Sequence, residues 1–176
     1  MVRADLGLAP WDVLHQGVAE RTGISIGVVT IVTGLVVLLL WIPLRERPGI
    51  GTVLNVLVIG IVVDATLAVV DAPAAMWQRV GLLVLGTYLF GPGSGWYIGA
   101  GLGPGPRDGL MTGLVRRTGG SIRVVRTSIE VTVLVAGAAL GGTVGIGTVV
   151  YALSIGPLVH AVLPRLTVPL PAQIVS

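Results

Sequence analysis

Two long apolar segments, residues 25–44 and 49–70, place the strongest constraint on how this chain can fold. Each has about 20 residues, the length of α-helix that crosses a lipid bilayer. Three further apolar segments follow, at 77–99, 121–141 and 145–163. Only 11% of the residues are charged, whereas about 25% is typical of a soluble domain. The sequence therefore predicts an all-α polytopic membrane protein with five transmembrane helices, folded as a single membrane domain over 1–176.

Two shorter helices are predicted outside these spans. The first occupies residues 10–23, begins with Pro10-Trp11-Asp12 and ends at Gly23. A proline in the first turn and a glycine after the last turn are typical of helix ends. This helix has roughly three turns and is too short to cross a bilayer. A related stretch at 99–121, rich in glycine and proline, contains the equivalent Pro106.

The chain contains an internal repeat. When the sequence is shifted by 96 residues, unit one (6–67) aligns with unit two (102–163) without a gap, and 27 of the 62 pairs are identical. Each unit consists of a short helix, a span, a Gly-Ile-Gly-Thr turn and a second span, and the span at 77–99 precedes unit two. Units of three spans face opposite sides of a membrane, so we expect an inverted repeat. By this count unit one lacks its first span, as a truncated or naturally shortened form would.

Arginine supplies all of the fixed positive charge, because the chain has no lysine. With five spans, three arginines fall on one side of the membrane and eight on the other. The larger group comprises Arg45, Arg47, Arg107, Arg116, Arg117, Arg123, Arg126 and Arg165. Cytoplasmic loops carry an excess of basic residues, so we expect this side, and the C-terminus, to be cytoplasmic. The arginines adjoin apolar spans, which explains the basic charge without a nucleic-acid partner.

Ionisable residues inside the fourth span are the first candidates for a functional site. Glu130 lies nine residues into that span, about 13 Å deep, and Arg126 and Arg123 share its helix face. Charged residues within a membrane are rare and often functional. Two interpretations stay open: a structural ion pair that fixes helix packing, or a site for an ion, a proton or an anionic solute.

The short helices offer a second candidate site. Asp12 and Asp108 are most simply first-turn acids that stabilise the positive end of the helix dipole. Alternatively, both short helices enter the membrane and direct their N-termini, together with Arg107, at a shared polar site. Secondary candidates are polar residues in the last span of each unit, which the repeat pairs as Asn55 with Tyr151 and Asp64 with His160.

Catalytic chemistry finds little support in the sequence. There is no cysteine and there are only two histidines, which excludes disulfides and thiol catalysis and argues against a Cys/His metal site. The absence of lysine excludes a P-loop, and the glycine-dense stretch 91–105 lacks the strand–helix–strand context of a dinucleotide site. We therefore expect no enzyme activity, no cofactor and no bound metal.

Several motifs resemble those of the bacterial YczE/YyaS/YitT-type integral membrane proteins. They are Pro10-Trp11-Asp12-Val13-Leu14, Gly51-Thr52, Gly105-Pro106-Arg107-Asp108-Gly109-Leu110-Met111, Arg126-Thr127-Ser128-Ile129-Glu130, Gly141-Gly142 and Gly156-Pro157. The resemblance covers nearly the whole chain and implies a multi-pass protein of the bacterial cytoplasmic membrane. Members of this family usually have a membrane helix before the first Pro-Trp-Asp motif. The resemblance implies no particular activity.

Two functional hypotheses are compatible with these features. The first is a small transporter or permease for an anionic or zwitterionic solute, whose site lies between the two repeats. The residues predicted to line it are Asp12, Arg107, Asp108, Arg123, Arg126 and Glu130. The second is a non-transporting scaffold or accessory membrane protein, in which the polar residues serve packing and capping. The expected partners are the lipid bilayer and, for a transporter, the solute. The sequence does not fix the oligomeric state.

Overall fold

The computed structural model describes residues 1–99 and 102–166, which form seven α-helices and no β-strand. The helices are α1 (Pro10–Thr22), α2 (Ile26–Leu44), α3 (Ile50–Val69), α4 (Met76–Gly99), α5 (Pro106–Thr118), α6 (Ile122–Ala139) and α7 (Ile146–Leu166). A single turn of 3-10 helix, Val2–Ala4, precedes them. The all-helical architecture agrees with the sequence prediction, and the short helices α1 and α5 have 13 residues each.

Local signals explain where the helices begin and end. Both short helices have proline at the first helical position, where a missing N–H costs nothing. They end at Gly23 and Gly119, whose φ angles of 72° and 68° are in the left-handed region that favours glycine. The long helices α2 and α6 begin at Ser25 and Ser121, whose hydroxyls accept hydrogen bonds from backbone N–H groups of the first turn.

The helices of the two sequence units pack across each other. The short helix α1 packs on α6 of unit two, and the short helix α5 packs on α2 of unit one. In addition, α2 packs on α3 and α4 packs on α7. Corresponding helices begin 96 residues apart, as the starts of α1 and α5, of α2 and α6, and of α3 and α7 show. Each short helix is therefore held by the unit to which it does not belong.

The Gly-Ile-Gly-Thr turns hold the segments that lead into the short helices. The N–H of Gly51 donates to the carbonyl of Leu102 over 3.0 Å, and the N–H of Gly147 donates to the carbonyl of Leu6 over 2.7 Å. The hydroxyl of Thr52 also donates to the carbonyl of Pro104 over 2.7 Å. These contacts fix the entry to α5 from unit one and the entry to α1 from unit two.

Apolar side chains cover the outside of the molecule, as in a protein surrounded by lipid. On α2, Leu39 and Ile42 are 63% and 71% exposed, and on α3, Ile61 is 62% exposed. Both helices are apolar and long enough to cross a membrane. These exposed apolar faces are those of a membrane protein.

The interior, by contrast, contains polar side chains beside a small apolar core. Trp11, Val37, Trp41 and Leu110 form the core, with Ile129 and Val133 of α6 against it. Val37 and Val133 lie near the middles of α2 and α6, so this core is centred between the two ends of the long helices. Among the side chains whose burial the structure describes, the buried polar ones are those of His15, Thr52, Thr87 and Thr148.

Candidate functional site

The N-terminal ends of the two short helices meet beside this core. The guanidinium carbon of Arg107 lies 4.8 Å from the centre of the Trp11 ring, in the geometry of a cation–π contact. Nη2 of Arg107 is 4.0 Å from Oδ1 of Asp12. Trp11 and Arg107 occupy the same position in the two sequence units, 96 residues apart. The contact therefore lies where the two units face each other.

His15 extends this group along α1. Its Nδ1 lies 3.7 Å from Oδ1 of Asp12, one turn earlier on the helix, and 3.1 Å from Oγ1 of Thr30 on α2. The Thr30 hydroxyl donates to the carbonyl of Ile26 over 2.8 Å, so its oxygen is left to accept from Nδ1–H of His15. This assigns the ring proton to Nδ1. We call Trp11, Asp12, His15 and Arg107 the central cluster.

The members of the central cluster differ in their exposure. His15 is buried, whereas the side chains of Asp12 and Arg107 keep 35% and 36% of their surface accessible. Trp41 packs beside Trp11 in the apolar core, and its indole N–H donates to the carbonyl of Pro106 over 3.0 Å.

Asp12 and its repeat partner Asp108 have different electrostatic surroundings. Burial favours the neutral form of Asp12, but the nearby imidazole N–H of His15 and the charge of Arg107 outweigh it and hold the pKa of Asp12 below its ordinary value. Burial raises the pKa of Asp108, and the charge of Arg126 opposes this only in part. One carboxyl is therefore stabilised as an anion, while the other takes up a proton more readily.

Charged residues of α6 border the cluster. Nε of Arg126 donates to Oε1 of Glu130, one turn later, over 3.1 Å. Glu130 and the buried Tyr151 of α7 are both close enough to Arg107 to interact with it electrostatically. The ring of Tyr151 packs edge-on against Phe90 of α4 at 5.2 Å. Side chains from α1, α5, α6 and α7 therefore converge on one region.

Other residues predicted from the sequence lie elsewhere. Arg123 is on an exposed face of α6, and Asn55 is half-buried on α3. Asp64 has a structural role: its carboxylate accepts hydrogen bonds from the Ser25 hydroxyl and, over 2.7 Å, from the N–H of Gly27 at the start of α2. His160 belongs to α7, and its side chain is outside the described residues.

Two members of the central cluster, Trp11 and His15, are not identified from the sequence as candidates. The available signal for His15 is its spacing of three residues from Asp12, which places both on one face of a helix. For Trp11 the signal is its repeat partner, Arg107. Within 1–99 and 102–166, no group of three or more His, Asp or Glu side chains is arranged to hold a metal ion.

Comparisons with known proteins identify a family and several bacterial relatives, one of them a membrane protein. A family model described as "Family of unknown function (DUF6198)" matches residues 1–164. An uncharacterized protein of Haemophilus influenzae is 42% identical over 160 residues, which cover 91% of this chain and 73% of the relative. The uncharacterized membrane protein YczE of Bacillus subtilis is 35% identical over 161 residues, covering 91% and 75%.

A more distant relative is the uncharacterized protein YyaS of Bacillus subtilis, 26% identical over 170 residues that cover 93% of this chain and 83% of YyaS. No solved structure matches the chain. The relatives therefore support membership of a bacterial membrane-protein group.

Proposed function

This chain belongs to the DUF6198 family of unknown function, and we propose that it is a small-solute transporter whose solute binds at the central cluster. The resemblance to YczE- and YyaS-type proteins is confirmed, and the family name carries no activity. The single observation behind the proposal is the Asp12–Arg107 pair, which is partly accessible and lies where the two units meet. Charged groups inside a membrane protein are costly and are retained mainly where they serve a function.

The chemistry of the cluster favours an anionic or zwitterionic solute. Arg107 presents a planar guanidinium that binds carboxylate or phosphate in a bidentate manner. Its charge is only partly matched by Asp12, since 4.0 Å is beyond hydrogen-bond distance. The N-termini of α1 and α5 add the positive ends of two helix dipoles. Asp12 can in turn hold the amino group of a zwitterion. Binding and transport of a solute require binding groups but no nucleophile–base pair. We therefore propose transport rather than catalysis.

We further propose that α4, α6 and α7 cross the membrane with α2 and α3, giving five spans in an inverted repeat. The reciprocal packing of α1 on α6 and of α5 on α2 supports this arrangement. Reciprocal capping supports it too. Arg21 donates to the carbonyl of Leu140 at the end of α6, and its repeat partner Arg117 donates to that of Pro43 in the last turn of α2. A twofold relation between opposed units produces such exchanged contacts.

For localisation, we propose the bacterial cytoplasmic membrane with the C-terminus in the cytoplasm, on the basis of the arginine distribution. The chain has no cysteine, so single cysteines can report the orientation directly. In intact cells, a membrane-impermeant thiol reagent is expected to label Asp71→Cys and to leave Arg47→Cys unlabelled. The opposite pattern contradicts the orientation, and labelling of both contradicts the number of spans.

The transport proposal is tested with the full chain reconstituted in liposomes. Carboxylates, amino acids and phosphate compounds are screened first by their effect on thermal stability. A solute at 100 times its Kd stabilises a protein by about 2.7 kcal/mol, which corresponds to a rise in Tm of roughly 5 to 10 °C for a chain of this size. Solutes that stabilise the protein are then measured for uptake.

Two variants change the central cluster, and a third variant serves as a control. Asp12→Asn and Arg107→Gln are expected to abolish both the solute-dependent rise in Tm and the uptake. Asp5→Asn is the matched control, because Asp5 is 62% exposed and pairs with Arg79 outside the cluster. If no solute class changes the Tm and none is taken up, the chain is a non-transporting scaffold and the cluster serves packing. If both variants keep uptake, the solute does not bind at the central cluster.

A further inference from the structure

A polar cavity lies at the end of α2, where this helix meets the C-terminal end of α5. Its volume is about 550 Å³, and it is lined by Ile42, Pro43, Leu44, Arg45, Arg116 and Arg117. Three of these six residues are arginines. The cavity is separate from the central cluster and shares no residue with it.

The arginines are only partly used by contacts within the protein. Arg116 donates from Nη2 to the carbonyl of Leu44 over 2.6 Å and pairs through Nη1 with Glu46 at 3.1 Å. Arg117 donates to the carbonyl of Pro43 over 2.7 Å. A guanidinium has five N–H donors, so both retain donors for a ligand. The side chain of Arg45 makes no hydrogen bond or ion pair with the part of the chain that the structure describes.

The charges around this cavity sum to a net positive charge. The lining arginines contribute three positive charges, and Glu46 contributes one negative charge. The C-terminal ends of α2 and α5 each add about half a negative charge. About one positive charge remains in the cavity, before Arg47, exposed in the adjacent loop, is counted.

Arg45 adopts a backbone conformation that its side chain disfavours. Its φ of 56° and ψ of 34° are in the left-handed region, where residues with a Cβ are destabilised relative to glycine. The repeat partner of Arg45 is Gly141, which also has a positive φ, of 105°. The partners of Glu46 and Arg116 are Gly142 and Glu20. The basic cavity is thus specific to one end of the molecule, and it contains an arginine where glycine fits the backbone better. Such strain points to a function.

We propose that this cavity binds the headgroup of an anionic phospholipid, with Arg45, Arg116 and Arg117 contacting the phosphate. Arginine forms charge-assisted hydrogen bonds with phosphate oxygens, and basic pockets at the cytoplasmic ends of membrane helices bind anionic headgroups. Ile42 is 71% exposed and Pro43 is also exposed. They give the cavity an apolar wall on the side of α2 that an acyl chain can follow. A soluble phosphate compound has no acyl chain to contact these apolar residues, so the wall favours a phospholipid. The proposal does not depend on transport.

The test compares lipids added to the full chain in a neutral detergent. Phosphatidylglycerol is expected to raise the Tm, while phosphatidylcholine and glycerol phosphate at equal concentration are not. Arg45→Gly is expected to bind phosphatidylglycerol about fivefold more weakly, since one arginine near a membrane surface contributes about that factor. The same variant relieves the backbone strain, so its Tm without lipid is expected to be unchanged or higher by about 2 to 4 °C. Arg45→Lys, which keeps the charge, is expected to retain most of the affinity.

Arg123→Gln is the matched control, because it removes an exposed arginine outside the cavity and is expected to leave the lipid effect unchanged. Four results would overturn the proposal. They are equal stabilisation by phosphatidylcholine, equal stabilisation by glycerol phosphate, full retention of the effect in Arg45→Gly, and a lower Tm of Arg45→Gly without lipid. The last result would make Arg45 a structural residue.

Discussion

The helices α2 and α6 occupy the same place in the two units, and they use the same face differently. Both begin at a capping serine, and each supports the short helix of the other unit. On α2 the face carries Gly27 and Gly34, and α3 packs closely against both. The equivalent positions of α6 carry Arg123 and Glu130. The first unit therefore uses this face for packing, and the second carries charge on it.

This difference separates residues that stabilise the fold from residues available for function. Small residues let two membrane helices approach closely, and close packing is a main source of their association. Charges at the same positions weaken that packing, so they require another explanation, which the transport proposal supplies. Substitutions on this face of α2 are therefore expected to lower stability, whereas those on α6 are expected to change solute uptake with little change in stability.

The largest expected effect is at Gly27. A Cβ at this position would lie 2.1 Å from the carbonyl oxygen of Gly60, a backbone atom that cannot move aside without separating α2 from α3. Gly27→Ala is therefore expected to destabilise the protein by about 3 kcal/mol, measured by thermal unfolding in detergent. Gly81→Ala is the control, because nothing lies within 4 Å of a Cβ there. Equal stability of the two variants would show that α2 and α3 do not depend on glycine packing.

The next largest effect is expected where the short helices contact the long helices of the other unit. At equivalent positions, the α1 backbone at Val13 and Leu14 lies against Gly137 of α6, whereas Gly109 of α5 faces the Trp41 ring of α2. The glycine is thus on the long helix in the first contact and on the short helix in the second. A Cβ at Gly109 would lie 2.0 Å from that ring, so Gly109→Ala is expected to cost about 2 kcal/mol.

A double variant shows whether the ring causes this cost. Trp41→Phe removes the part of the ring that the new Cβ would meet. In the double variant the two losses of stability are expected to be less than additive, with a coupling of about 1 kcal/mol. Additive losses would mean that Gly109 is required for another reason.

Much of the fold follows from local sequence signals. The short helices begin at Pro10 and Pro106 and end before Gly23 and Gly119, as their proline and glycine positions predict. The pairing of α1 with α6 is not predictable in this way, because it depends on the close approach of the α1 backbone, at Val13 and Leu14, to Gly137. Such a contact involves residues far apart in sequence, and no periodicity indicates it.

The candidate site was also predictable only in part, because some of its contacts join residues far apart in sequence. Charge inside an apolar sequence draws attention to Asp12, Arg107 and Asp108, and the structure brings Asp12 and Arg107 to 4.0 Å. His15 could not be singled out, because its hydrogen-bond partner, Thr30, is on another helix. Asp64, also prominent in the sequence, caps the start of α2 instead. A polar residue in an apolar span is visible in the sequence, but its partner is not.

A smaller effect concerns the two Gly-Ile-Gly-Thr turns. The Thr52 hydroxyl accepts from the N–H of Gly49 and donates to the carbonyl of Pro104, whereas Thr148 accepts only from the N–H of Gly145 among the hydrogen bonds found in the described residues. Thr52→Val is therefore expected to lose about 1.5 kcal/mol, and Thr148→Val roughly half as much. Thermal unfolding of both variants measures the difference. An equal loss would mean that the two turns hold the short helices equally.

The smallest effect on stability is expected at Glu130, and it completes the comparison of α2 with α6. The Arg126 and Glu130 side chains are 51% and 33% exposed and one turn apart, and such pairs contribute about 0.3 to 0.5 kcal/mol. Glu130→Gln is therefore expected to leave the Tm within about 2 °C of the unmodified chain. If α6 carries charge for transport, the same variant loses solute uptake in liposomes. A large fall in Tm would instead assign Glu130 to packing, the role of its counterpart Gly34, and would remove the distinction between the two helices.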